Sequence, residues 1–276
     1  MGHTVESFPH PDFRETYRRL TTRPTPTVSS PVSRTALELE RRETHSWWQS
    51  AAIFRDLSRP ERMRMLSAAA RRQYAPRTVI VQPGDLGGQV LVAASGRVKV
   101  SQVSHTGEEV ILRIAGAGDV LGGLGMPPGR THSFTIRAIE TCTVLSWRAE
   151  EFEQLCRWSP ALQRNALQIM HDALGMLQEC FCDMATLKAS SRLARTLLRL
   201  AGHNGCGVQK VRITFTCEEL GQMAGTTLFT VSRLLSKWAE MGLIYTENRQ
   251  VILEDMERLL AIADESASPA KQISMR

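Results

Sequence analysis

The sequence contains no apolar run approaching the length of a bilayer span, so no stretch of it reads as a transmembrane helix. Its opening residues, from Met1 to Phe13, lack the charged-then-apolar order of a secretory signal. A cytoplasmic protein is the expectation. Cysteine is sparse: six residues stand at 142, 156, 180, 182, 206 and 217, with no C-x-x-C pair. Such spacing argues against a disulfide framework and reads as mostly reduced, buried thiols. Also missing are a phosphate-cradling Gly loop ending in Lys, an H-E-x-x-H pair, and a nucleophile motif with its base. Gly122-Gly-Leu-Gly125 resembles a nucleotide loop only in composition. It falls between β-type runs, without the helix dipole that makes such loops work. An enzyme is not expected.

What is present starts with size and charge. The 276 residues suffice for two small domains with real cores. A net charge of +6 suits a polyanionic partner without identifying one.

The most informative stretch runs from Thr216 to Trp238. Thr216 and Glu219 have the T-x-x-E form of a capping box. Leu220, Met223 and Ala224 follow at helical spacing, and Gly225 stops the helix in the left-handed backbone that glycine adopts freely. Thr226 or Thr227 caps a second helix. On it Val231, Leu234, Leu235 and Trp238 share one face, and Thr227, Leu228, Ser232, Arg233, Ser236 and Lys237 the other. Two short helices around a Gly turn, the second with a polar and basic outer face, make a DNA-reading helix-turn-helix. Gly242 to Tyr245 and Val251 to Leu253 read as strands of a wing, with Arg249 at its tip to touch a phosphate.

Residues 1–44 are rich in Arg, Thr, Ser and Pro and read as a flexible N-terminal extension, with a short helix around 35–43. A solvated tail is the expectation, and an arm that touches DNA the alternative. Ser58 and Pro60 open a helix from Glu61 to Arg72 with Met63, Leu66 and Ala70 inward. Between residues 77 and 147, short β-type runs alternate with Gly and Pro punctuation, which points to a β-roll or small barrel. Trp147 to Trp158 reads as a short helix. Ser159-Pro160 then opens a long one to about Leu187, roughly 40 Å in length. Along it Leu167, Met170, Leu174, Leu177, Phe181 and Met184 alternate spacings of three and four. Ala166, Ile169, Ala173, Met176 and Cys180 form a second apolar row. One row packs on the roll and the other meets a partner helix, so a homodimer is predicted, with Ala166 and Ala173 counted beside the seam as interface residues. A further helix starts at Ala189, with Leu193, Thr196, Leu197 and Leu200 buried and Arg192, Arg195 and Arg199 outside. The organisation expected is therefore α+β: a β-roll (jelly roll) sensor over 45–159, a dimerisation helix over 160–188, a winged helix-turn-helix over 189–263, and a disordered tail over 264–276.

This order resembles the Crp/Fnr superfamily of bacterial transcription regulators. The resemblance is carried by Ile53-Phe-Arg-Asp-Leu57, Pro83-Gly-Asp85, Ser95-Gly-Arg-Val98, Gly118-Asp-Val-Leu-Gly122, Ser191 to Leu198 and Thr216 to Gly225. It implies a cyclic-nucleotide-binding-like roll and a homodimer on a two-fold symmetric operator in double-stranded DNA. One recognition helix per subunit enters the major groove, and RNA polymerase is contacted to activate transcription. No membrane partner is expected.

Departures from the family pattern shape the effector expectation. Nucleotide-binding members place a Glu after the position of Gly122 and an Arg-Ser pair on the cyclic phosphate. Here Gly123, His132 and Ser133 stand there, with Arg130 two residues earlier. A phosphate needs a permanent positive fork, which His132 does not supply near neutral pH. Gly122, Gly123, Arg130, His132 and Ser133 are the candidate effector residues. Oxygen-sensing members hold an iron–sulfur cluster on N-terminal cysteines, and with no Cys before Cys142 that mechanism is not expected. Cys180 and Cys182, two apart on a helix, point to nearly opposite sides, and no metal site is expected. The string Thr226 to Arg233 is similar to that of the branch associated with nitric oxide and denitrification. A gas or redox signal, with haem on His171, His132 or Cys180, is one expectation; a metabolite or nucleotide held by Arg130 and His132 is the other. For DNA, Thr227, Leu228, Phe229, Ser232 and Arg233 are assigned to base edges and Thr216, Lys237 and Arg249 to phosphates. Leu228 and Phe229 suit thymine methyl groups, and Ser232 and Arg233 supply hydrogen bonds.

Overall fold

The computed structural model describes residues 47–127, 129–203, 211–247 and 250–265. The extension, the helix expected around 35–43, Cys206 and Arg249 lie outside the described residues.

The chain enters through α1 (Trp47–Ser50), a 3-10 turn (Ala52–Phe54) and α2 (Arg59–Ser67). In α2 the Ser58–Glu61 capping box is complete, with Pro60 in the first turn. The helix is shorter than the sequence predicts. After Ser67 the chain becomes β1 (Ala70–Tyr74), which pairs with β8 (Cys142–Arg148). Ala-Arg-Arg-Gln-Tyr carries no apolar alternation, so nothing local marks it as a strand. Met65 is buried where Met63 was expected, and Ala70 is exposed. Trp147 likewise belongs to β8, and the helix after it, α3, is Ala149–Trp158. The Trp147 indole donates to the Met65 carbonyl at 2.7 Å, pinning α2 to the sheet.

The remaining roll strands are β2 (Val79–Val81), β3 (Gln89–Ser95), β4 (Val98–Val103), β5 (Glu109–Ala115), β6 (Val120–Gly122) and β7 (Thr135–Ala138). They form two antiparallel sheets, in the orders β1-β8-β3-β6 and β2-β7-β4-β5. Val98, Val100, Leu121, Ile136 and Val144 fill the space between them. The first sheet is covered on its other face by Phe54, Leu66, Phe152, Leu162 and Ala166 from the helices. That double burial explains the unbroken apolar run Val-Leu-Val-Ala-Ala in β3.

The long helix α4 (Pro160–Thr186) has Ser159 as its N-cap, accepting from the Leu162 amide at 3.2 Å. The Ser159 hydroxyl also donates to Glu61 at 2.6 Å, so one carboxylate closes the α2 cap and anchors the start of α4. Asn165 donates to the carbonyls of Ile53 and Arg55, fixing the 3-10 turn against the same helix.

Beyond α4 come α5 (Ala189–His203), β9 (Arg212–Ile213), α6 (Cys217–Ala224), α7 (Leu228–Glu240), β10 (Ile244–Glu247), β11 (Gln250–Leu253) and α8 (Met256–Ala263). The three strands form one sheet in the order β10-β11-β9. Leu193, Leu197, Leu220, Val231, Trp238 and Leu243 make this core, and Ile111 and Ile114 of β5 reach into it from the roll.

Candidate nucleic-acid interface

Local chemistry builds the helix-turn-helix as its sequence requires. The Thr216–Glu219 capping box is formed in both directions. Gly225 sits at φ 60°, the left-handed backbone that ends α6. The open choice of second cap resolves to Thr227, whose hydroxyl accepts from the Thr230 amide.

With the two helices fixed, α7 buries Val231, Leu235 and Trp238 and turns its other face outward. Leu228 is 44% exposed and Phe229 77%. Thr227, Ser232, Arg233, Ser236 and Lys237 are exposed beside them, as is Thr216 at the start of α6. No side-chain hydrogen bond or ion pair among the described residues engages Arg233 or Lys237. Two large apolar side chains thus stand in solvent next to two unengaged cations. An apolar residue so exposed is informative when it adjoins charge on one ridge.

The basic residues expected outside α5 divide. Arg199 is exposed, but Arg192 and Arg195 are half-buried and turned into the protein. Arg195 meets Asp183 of α4 at 2.8 Å and the Ala263 carbonyl at 3.0 Å. Arg192 donates to the carbonyls of Ala224, Gly225 and Leu187. Both correct the expectation of an outer basic face, which periodicity alone could not distinguish from an inner bonded one.

The effector residues do not all converge. His132 is only 5% exposed, edge-on to Phe134 with ring centroids 5.2 Å apart. A Cβ on Gly122 would lie 3.3 Å from Phe134 and 3.5 Å from His132, so these three residues pack together. Burial pushes the His132 imidazole below its ordinary value, against a smaller opposing pull from Asp85. Its Nδ1 is buried without a partner. Gly123, at φ 81°, lies so close to the Gln89 carbonyl that any side chain would collide with it. Arg130 and Ser133 stay exposed. Phe134, the aromatic that occupies the space beside His132, carries no signal in the sequence that marks it as part of this site.

Leu167, Leu174, Leu177, Phe181 and Met184 lie exposed along α4, with Met170 between them. Ala173 is exposed too, whereas Ala166 is 7% exposed within the roll's outer core and drops out of the seam. A cavity of about 420 Å³ lies between residues 123–127, α3 and α4, lined by Phe152, Cys156 and Met170 among others. Another, of about 430 Å³, lies between β5, the second half of α4, α5 and α6, with Cys180 and Gln222 in its wall.

Residues 71–158 match the profile of the cyclic nucleotide-binding domain, and residues 191–262 that of the Crp-like helix-turn-helix domain. The chain belongs to the Crp/Fnr superfamily of transcription regulators. It is 28% identical over 187 residues to Electron transport regulator A of Shewanella oneidensis, covering 67% of this chain and 74% of that protein. It is 27% identical to the transcriptional activator protein anr of Pseudomonas aeruginosa, covering 67% and 76%. The CRP-like cAMP-activated global transcriptional regulator of Mycobacterium tuberculosis is 29% identical, with 64% and 80% covered. Among solved structures, FixK2 of Bradyrhizobium japonicum superposes with a TM-score of 0.63 at 21% identity, over 73% of this chain and 99% of that one. These likenesses agree with the mixed α+β fold of roll, helices and helix-turn-helix. All three of these relatives are named as regulators or activators. No described helix is long and apolar enough to cross a membrane.

Proposed function

We propose that two copies of this chain pair through α4 and bind a two-fold symmetric DNA operator with α7 in successive major grooves. The observation that carries this reading is the outward face of α7, where Leu228, Phe229, Ser232 and Arg233 stand exposed over a buried Val231–Leu235–Trp238 face. Thr227, Leu228, Phe229, Ser232 and Arg233 are assigned to base edges, and Thr216, Lys237 and Arg249 to phosphates. The exposed seam of α4, less Ala166, is the surface that a second copy covers. The working division is a roll over 45–159, a dimerisation helix over 160–188 and a DNA-binding unit over 189–263. Residues 1–44 are an extension and 264–276 a tail. The regulator acts in the cytoplasm and activates transcription by contacting RNA polymerase. Incubation with a random duplex pool, followed by sequencing of the bound fraction, tests this. An inverted repeat is expected; equal retention of all sequences refutes it.

For the signal we propose a gas or redox input such as nitric oxide. Its support is that His132, at the position of the phosphate-binding Arg, is buried with its charging disfavoured, while Arg130 is exposed. Haem does not fit at His132, because Phe134 and Gly122 crowd the ring and neither cavity described above is lined by it. His171 is exposed on α4. Cys180 is the candidate that lines a cavity, with its sulfur 3.6 Å from the Arg199 guanidinium. A nitric-oxide donor is expected to change operator affinity in the wild type and not in Cys180→Ala. No change in the wild type sinks the reading. The second reading, a metabolite or cyclic nucleotide, is favoured by the cavity between residues 123–127, α3 and α4. Calorimetric titration with cAMP distinguishes the two.

A further inference from the structure

One side chain joins the end of the long helix to the turn of the helix-turn-helix. Arg192 projects from the first turn of α5. Its Nη1 donates to the carbonyl of Leu187, the C-cap of α4, at 2.7 Å. Its Nε donates to the Ala224 carbonyl at 2.9 Å and its Nη2 to the Gly225 carbonyl at 3.0 Å. Those two carbonyls are the last of α6 and the turn itself. The guanidinium spreads its donors in a fixed plane, so three acceptors bonded at once are held at set distances from each other. A lysine ammonium is a point donor on a flexible stem and cannot hold the same three in one plane.

The turn it grips is bonded and closely packed. The Thr226 amide closes onto the Gly221 carbonyl at 3.0 Å, and a Cβ on Gly221 would come within 2.7 Å of the Thr226 carbonyl. Met184, on the exposed seam of α4, presses its thioether against Gly225. Arg195 adds an ion pair to Asp183 one turn earlier. The end of α4 and the start of α7 are therefore linked through bonded, closely packed groups.

We infer that Arg192 is a positioning residue that sets the separation of the two recognition helices, and hence the operator spacing the protein accepts. This rests on the reading that copies pair through α4. Adding one base pair between half-sites moves one of them by about 3.4 Å and about a tenth of a turn. A rigid link rejects such a shift, and a loose one follows it. Arg192 contacts no predicted base or phosphate position, so its loss should spare recognition of a single half-site.

The test uses the full-length protein and a random duplex pool, comparing wild type with Arg192→Gln and Arg192→Lys. Wild type is expected to select two inverted half-sites at one spacing. Arg192→Gln should select the same half-site at several spacings, with about tenfold weaker binding at the wild-type spacing. Its affinity for a duplex carrying one half-site should be nearly unchanged. Arg192→Lys should fall between, and it decides the matter if the Gln variant does not fold. A single retained spacing in the variants overturns the inference, as does a parallel loss on one half-site. If wild type itself selects no inverted pair, it is the dimeric reading that fails.

Discussion

Arg233 and His132 are both nitrogen bases, and the fold treats them oppositely. Arg233 stands in solvent with no partner among the described residues, ready to bind outward. Arg233→Ala is expected to weaken operator binding by about 1–3 kcal/mol and relax one base position. Titrating specific and random duplexes in parallel checks this, since an equal loss on both would make Arg233 a phosphate contact only. His132 is sealed in. The unfolded chain takes a proton on this imidazole near the ordinary value of 6.5, whereas the folded site resists charging until a lower pH. Between those values the unfolded state binds more protons, so acidification favours unfolding. Stability present above pH 6.5 is lost as pH falls toward the folded value. His132→Leu removes both the titration and the unpartnered Nδ1, so its melting temperature should fall less than that of wild type between about pH 8 and about pH 5.5. Parallel thermal melts at both pH values provide the comparison.

At the scale of elements, α4 has two faces with different fates. Leu162 and Ala166 are buried against the roll, while Leu174, Leu177 and Phe181 face solvent in a single chain. So many apolar side chains on one stripe constitute an uncovered surface. Leu174→Glu combined with Phe181→Glu places like charges across a paired seam. Sedimentation velocity should then show a monomer while far-ultraviolet dichroism keeps the helix content. A dimer that survives both changes would move the interface elsewhere. The start of the same helix depends on Glu61, whose carboxyl is held below its ordinary range chiefly by the Ser159 hydroxyl and then by Ser58.

Across the whole molecule, the roll and the DNA-binding unit share apolar packing. Ile111 and Ile114 leave the roll to join the core of Leu220 and Ala224. Ile111→Ala removes about 2–5 kcal/mol of packing at a buried site. Its effect should be communicated to both units: hydrogen exchange is expected to rise in α6 as well as in β5. A rise confined to β5 would show that the two units are not coupled there. Much of this architecture was written locally. The T-x-x-E box, Gly225 and the three-four spacing of α4 act over a turn or two, so sequence alone determined the helix-turn-helix, the long helix and most roll strands. It could not determine which residues meet across the chain. β1 is a strand because β8 is there to pair with it, and its own residues carry no such signal. Ala166 faces the roll, and Arg192 turns inward to the carbonyls of Ala224 and Gly225. Those outcomes depend on partners tens of residues away, whose positions only the folded chain fixes.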